Sequence, residues 1–142
     1  MTRTRTVLVV DDEADLAATC ARLLRRQGYT VVCASTREQA VSALAERPDL
    51  VVADVRLPDG DGLDVVLAAR RLSNPPPVIV VTGYPSEASR REAMKVGAAA
   101  FLAKPFSLAA FVELVQKLLT SSPPPPGPGA SPSGGIAWPA SP

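Results

Sequence analysis

Three aspartates, a threonine and a lysine stand just past short apolar runs: Asp11 and Asp12 after Val7 to Val10, Asp54 after Leu50 to Ala53, Thr82 after Val78 to Val81, and Lys104 after Ala99 to Leu102. Carboxylates are hard oxygen donors, and a group of them suits Mg²⁺, which takes oxygen ligands at ~2.1 Å. Crowded together without compensation, they would push one another toward protonation. A divalent ion and the ammonium of Lys104 would neutralise them and keep Asp54 ionised. An ionised, positioned carboxylate is a nucleophile, and the Thr82 hydroxyl could donate to an anion formed on it. The set reads as a place where a metal ion and a phosphoryl group are handled together.

Taken singly, each residue is ordinary. Asp11, Asp12 and Glu13 could cap a following helix and favour its dipole, Asp54 and Thr82 could open turns, and Lys104 before Pro105 could be a solvated loop lysine. Their joint placement is what carries the chemistry, and it needs a sheet. Apolar runs of four or five residues alternate here with stretches of helical period, the pattern of βαβ units whose parallel sheet is covered on both faces. Strands are predicted at about 5–10, 29–33, 49–53, 77–82 and 99–102, and helices at about 14–27, 36–45, 63–72, 86–96 and 107–119. Strands of a parallel sheet point one way, so residues past four strand ends arrive on one edge. Right-handed crossovers favour a doubly wound α/β sheet of order 2-1-3-4-5, with its crevice between strands 1 and 3 flanked by Asp12 and Asp54.

Boundary residues agree with these elements. Gly28 and Gly97 stand where helix ends want a left-handed residue; Ser35 and Ser107 are predicted N-caps. Ser35 with Glu38, or Thr36 with Gln39, fits a capping box. Leu108, Phe111, Val112, Val115, Leu118 and Leu119 share one face of the last helix, which can lie on the sheet. The longest connection, Asp54 to Gly62, contains Pro58 and two glycines and is predicted to be a shaped, functional turn.

The first 120 of the 142 residues suit one domain; the last 22, Ser121 to Pro142, lack Asp, Glu, Lys and Arg, hold eight of the fifteen prolines, and are predicted to form a disordered tail or linker. With 15 basic and 14 acidic residues there is no basic footprint for direct nucleic-acid contact or an anionic membrane. No histidine and only two cysteines exclude an ordinary zinc site, and Cys20 and Cys33 both read as small buried hydrophobes. No apolar run approaches the ~20 residues that span a bilayer, so a cytoplasmic location is expected.

Across about residues 5 to 120 the chain resembles the receiver domain of two-component response regulators, through Asp11-Asp12, Asp54 followed by the Leu57-Pro58 turn and Gly62, Thr82-Gly83, and Lys104-Pro105-Phe106. The resemblance implies a flavodoxin-like fold and a signalling domain that catalyses its own phosphotransfer. Asp54 would accept a phosphoryl group from phosphohistidine on a histidine kinase or phosphotransfer protein, helped by Thr82 and Lys104. Asp11, Asp12, Asp54 and the backbone carbonyl of Arg56 would bind Mg²⁺. Thr82 would then move inward and Phe101 rotate, switching the surface of helix 4, strand 5 and helix 5, where Arg90, Arg91 and Lys95 could form a basic rim. Lys104-Pro105 is expected to be cis. Arg56 and Tyr84 occupy positions that tune hydrolysis of the acyl phosphate, and slow self-dephosphorylation is expected.

The chain is expected to be a monomer or a weak phosphorylation-dependent dimer that acts on a downstream protein target, since no output domain is expected after the receiver. Two alternatives remain open. It could be a phosphorelay intermediate passing phosphate between histidines. It could also be a non-phosphorylated interaction module docking through its tail, where Pro123 to Pro126 favour polyproline II and Ile136 with Trp138 could anchor a contact. Cut from a longer regulator, it would be the regulatory half.

Overall fold

A computed structural model describes residues 4–120. The elements run β1 (Thr6–Val10), α1 (Ala14–Arg26), β2 (Thr30–Ala34), α2 (Arg37–Ala43) with a 3₁₀ turn at Leu44–Glu46, β3 (Leu50–Asp54), β4 (Arg56–Leu57), β5 (Gly60–Asp61), α3 (Leu63–Arg70), β6 (Val78–Thr82), α4 (Glu87–Val96), β7 (Ala100–Ala103) and α5 (Leu108–Thr120). The main sheet has the order β2-β1-β3-β6-β7, and all its pairs are parallel. Counting those five strands alone, this is the predicted 2-1-3-4-5, a doubly wound α/β sheet. The two remaining strands are a small antiparallel hairpin that pairs Arg56 with Asp61 and Leu57 with Gly60, inside the connection expected to be a shaped turn.

Period-2 alternation along the central strands feeds two cores, one on each face of the sheet. Leu8, Val10, Val51 and Val80 face α2, α3 and α4, packing with Leu44, Val65, Val66 and Ala93. Val7, Val9, Val52, Ile79 and Val81 face α1 and α5, packing with Leu24, Phe111 and Val115. Each such Val or Leu fully withdrawn from water contributes about 1.5–3 kcal/mol. Because both faces are filled, no strand can slip by one residue without turning its side chains into the wrong core.

At α2 the structure decides between the two caps offered by the sequence, in favour of Thr36 with Gln39. Thr36, not Ser35, is the N-cap of α2: its hydroxyl accepts from the Gln39 N–H at 3.0 Å, while the Gln39 amide oxygen reaches one residue further out and accepts from the Ser35 N–H at 2.8 Å. The Ser107 hydroxyl accepts from the Ala110 N–H, as a cap should, at 3.1 Å. Gly97 closes α4 at φ 110°, a conformation that favours glycine. A capping box of Ser86 and Ser89 opens α4; Ser in place of Glu or Gln hid it from the sequence pattern.

Cys33 is a correction. Cys20 is buried in α1 as expected, but Cys33 is exposed. It sits on the edge strand β2, beside an open groove of about 610 Å³ lined by Ala18, Ala21, Arg22, Arg25 and Arg26 of α1. The alanines are too short to cover it, and the Arg25 guanidinium donates to the Val31 carbonyl at 3.1 Å.

The Lys104-Pro105 bond is cis, as expected. Among the described residues no helix is long and apolar enough to cross a membrane. The predicted tail, Ser121 to Pro142, with its Pro123 to Pro126, Ile136 and Trp138, lies outside the described residues.

Candidate functional site

The parallel register brings the strand ends into line: Val10 is opposite Ala53, Asp54 opposite Val81, and Thr82 opposite Ala103. Asp11, Asp54 and Thr82 are the buried polar side chains among the described residues, at 8%, 6% and 3% exposure. Unpaired polar groups at that depth would be costly, so their partners matter. Carboxylate oxygens of Asp11, Asp12 and Asp54 lie within 4.8 Å of one another, with Asp12 at the exposed rim. Helix capping does not account for them, since Glu13 is the N-cap of α1 and its side chain caps nothing.

Lys104 reaches over from the end of β7 to this cluster. Its Nζ lies 2.7 Å from Asp54 Oδ2, 3.1 Å from Asp11 Oδ2 and 2.5 Å from Glu13 Oε1. Burial by itself would lower the lysine pKa, but the hydrogen bonds to Asp54, Glu13 and Asp11 outweigh it and raise it. Asp11 is shifted the other way from a typical paired acid: burial pushes its carboxyl up, and the Glu13 N–H and Lys104 only partly oppose that. The second oxygen of Asp54, Oδ1, accepts from the Arg56 N–H at 3.1 Å. Asp54 is thus held by a charge on one oxygen and by the backbone on the other, and charge-assisted hydrogen bonds of this kind fix a carboxylate's direction.

Backbone bonds lock the neighbouring turns to this edge. Val55 N–H donates to the Val81 carbonyl at 2.9 Å, and Lys104 N–H to the Thr82 carbonyl at 2.8 Å. Gly62 packs directly on Asp54: a Cβ there would fall 1.9 Å from the Asp54 carbonyl oxygen, so only glycine fits. The Thr82 hydroxyl accepts from the Tyr84 N–H at 3.0 Å. Val80 is the register partner of Phe101, and both belong to the core on the α4 side. Thr82, two residues beyond Val80, shares that face, which puts Thr82 and the half-buried Phe101 one register step apart.

The residues proposed from sequence for the phosphoryl and metal site all lie at this edge or next to it. Asp11, Asp12, Asp54 and Lys104 come together, Thr82 and Phe101 share a face beside them, and the Arg56 backbone touches Asp54. Two contacts were not read from sequence. Glu13 is a third carboxylate on Lys104; the long lysine stem and the unbroken acidic run were the signals for it. The Arg56 guanidinium stacks over the Tyr84 ring at 4.0 Å, joining two positions that the sequence places 28 residues apart. The expected basic rim on α4 is weaker than its sequence, since Arg90 and Arg91 both lie near Glu87, at 3.4 and 3.8 Å.

The family described as response regulator receiver domain matches residues 7–116. This chain belongs to the response regulator receiver family. The receiver is 41% identical over 114 residues to the transcriptional regulatory protein PrrA of Mycobacterium tuberculosis, covering 80% of this chain and 49% of PrrA. It is 34% identical over 116 residues to the transcriptional regulatory protein CpxR of Escherichia coli, covering 82% and 50%. The receiver thus spans about half the length of these curated relatives. Among solved structures it is similar to the non-phosphorylated HemR receiver domain of Leptospira biflexa, with a TM-score of 0.79, 30% identity and coverage of 85% and 98%. It is also similar to a Burkholderia pseudomallei response regulator described with a phosphorylated aspartic acid, a calcium ion and citrate, with a TM-score of 0.71, 31% identity and coverage of 84% and 75%.

Proposed function

We propose that this receiver accepts a phosphoryl group on Asp54 from a phosphohistidine of a histidine kinase or phosphotransfer protein, and that the modified domain switches a protein-interaction surface. One observation carries this: Asp54 is a buried carboxylate held between Lys104 and the Arg56 N–H, with two further aspartates within reach of one cation. The phosphorylated aspartic acid in the similar Burkholderia protein supports the same chemistry. No histidine occurs in these 142 residues, so the donor phosphohistidine lies outside them.

The donor set fits Mg²⁺, being three carboxylates with no nitrogen or sulfur ligand among them. Asp11, Asp12, Asp54 and the Arg56 carbonyl would hold it. When bound, the ion supplies charge neutralisation on the phosphoryl oxygens. The chain's own part is positioning. Asp54 attacks phosphorus as the P–N bond of phosphohistidine breaks; Lys104 moves its ammonium from the carboxylates to the phosphoryl oxygens; the Thr82 hydroxyl turns from the Tyr84 N–H to donate to them. An acyl phosphate adds about −1.5 to −2 charge at pH 7, enough to draw both groups. Space vacated by Thr82 then admits Phe101 from the same face, and the surface of α4, β7 and α5 changes. That is a population shift between two packings, not a new fold.

The stacked Arg56 and Tyr84 stand beside Asp54 and Thr82 as a cover against water, giving slow self-dephosphorylation. The near balance of charge supports a receiver that makes no nucleic-acid contact itself, and the proposed place of action is the cytoplasm. It works as a monomer, or as a dimer formed on phosphorylation, on a downstream protein. The names of PrrA and CpxR support an output in control of transcription, exerted through a partner or segment other than residues 7–116.

Beryllofluoride with Mg²⁺ mimics the acyl phosphate and tests the switch. Amide resonances of Asp54, Thr82, Phe101 and the α4 surface are expected to shift in the wild type and stay in place in Asp54→Asn. Unmoved wild-type spectra at saturating reagent would refute the proposal.

A further inference from the structure

The first four N–H groups of a helix have no partner within it. In α2 the Gln39 N–H is met locally by the Thr36 hydroxyl at 3.0 Å, and the helix's own ladder begins with the Ala40 N–H on the Thr36 carbonyl, also at 3.0 Å. The Arg37 and Glu38 N–H groups, the first two past the cap, are met from far along the chain. Asp59 Oδ1 accepts from the Arg37 N–H at 2.6 Å, and Asp59 Oδ2 from the Glu38 N–H at 3.0 Å. These two N–H groups hold the Asp59 carboxyl below its usual range. Arg37 adds a second tie. Its side chain lies over Gly60, so close that a Cβ there would stand 2.9 Å from its Nε, and its guanidinium bonds Asp64 at 3.0 Å.

Asp59 is the tip of the β4–β5 hairpin, and Arg56 is the first residue of that hairpin. The hairpin is therefore fixed at three points: Gly62 against the Asp54 carbonyl, Leu57 in the core, and Asp59 on α2. Only Leu57, Pro58 and their peptide links separate Asp59 from the Arg56 carbonyl.

We propose that Asp59, backed by Arg37, is a positioning residue that clasps the β4–β5 hairpin to α2, sets the Arg56 carbonyl for the cation, and transmits cation binding to the first turn of α2. This rests on the Mg²⁺ site described above. Coupling of this kind is reciprocal: whatever ordering of the hairpin favours the cation, the cation favours in return. Outer partners of metal ligands typically change affinity ~10–100-fold when removed. Asp59 acts through intervening backbone, so Asp59→Ala should raise the Mg²⁺ dissociation constant about three- to tenfold on that scale. Asp59→Asn keeps one acceptor oxygen and should fall between it and the wild type.

The test is a Mg²⁺ titration of the full chain, followed by the amide shifts of Asp12 and Arg56, with hydrogen exchange measured at Arg37 and Glu38. In the wild type, Mg²⁺ should slow exchange at those two amides; in Asp59→Ala it should not, while Val51 and Val80 keep wild-type protection and report an intact fold. Dissociation constants equal within twofold in wild type and both variants, or Mg²⁺-insensitive exchange at Arg37 and Glu38 in the wild type, would overturn the clasp and leave the metal site standing. Absence of any wild-type response at Asp12 and Arg56 would sink the metal site itself, and the clasp with it.

Discussion

At Lys104 a single ammonium is shared by three carboxylates, Asp54, Asp11 and Glu13, and this explains why so much acid can sit at one buried edge. The compensation is incomplete at Asp11, whose carboxyl is pushed up by burial. Its native pKa lies above that of the unfolded chain, which is about 3.9. The native state therefore holds this proton more tightly, so ionising Asp11 costs stability at every pH above the raised value and costs nothing below about 3.9. Asp11→Asn keeps an oxygen for the Glu13 N–H and removes the charge. Its melting temperature should exceed that of the wild type at pH 7, with the gain shrinking as pH falls through the raised pKa. A lower melting temperature for the variant at pH 7 would contradict this balance of charges. Asp11, Asp12, Asp54, Thr82 and Lys104 were legible in the sequence because each follows an apolar run and strand ends align by topology. Glu13 and Asp59 were not, because their roles depend on how far one lysine stem reaches and where one hairpin tip lands.

Between elements, the contact proposed to cover the acyl phosphate joins β4 to the turn after β6. Arg56 and Tyr84 are both exposed, yet the guanidinium lies 4.0 Å over the ring. Stacking at an exposed site is worth about 0.5–1 kcal/mol, enough to keep the pair closed most of the time. Removing the ring in Tyr84→Ala should shorten the acyl-phosphate lifetime roughly three- to tenfold, about 1 kcal/mol of barrier. Loss of phosphate followed over hours after removal of the donor would show it; a lifetime of seconds in the wild type, or an unchanged one in the variant, would count against the cover. Strands and helices were predicted to within a residue or two, since buried β runs and helical stripes have unmistakable periods. The β4–β5 hairpin escaped because two-residue strands have no period to read. Cys33 was misplaced because sequence does not tell an edge strand's open side from its covered one.

For the molecule as a whole, one sheet edge gathers residues from four parallel strands, and the opposite layers hold that edge rigid through two separate cores. Handedness rules favoured the strand order, because alternating β and α elements leave few ways to wind a parallel sheet. What the receiver passes its signal to was not legible: partner choice lies in surface detail such as the α4 rim, where Glu87 already engages two arginines. The receiver matches curated relatives over about half their length, and the chemistry proposed for it is acceptance of a phosphoryl group on Asp54. That chemistry is tested most directly by intact-mass measurement after incubation with Mg²⁺ and acetyl phosphate, with Asp54→Asn alongside. A gain of one phosphoryl group in the wild type and none in the variant is predicted. An unmodified wild type, confirmed with a phosphorylated histidine kinase as donor, or equal labelling of Asp54→Asn, would contradict the assignment of Asp54 as acceptor.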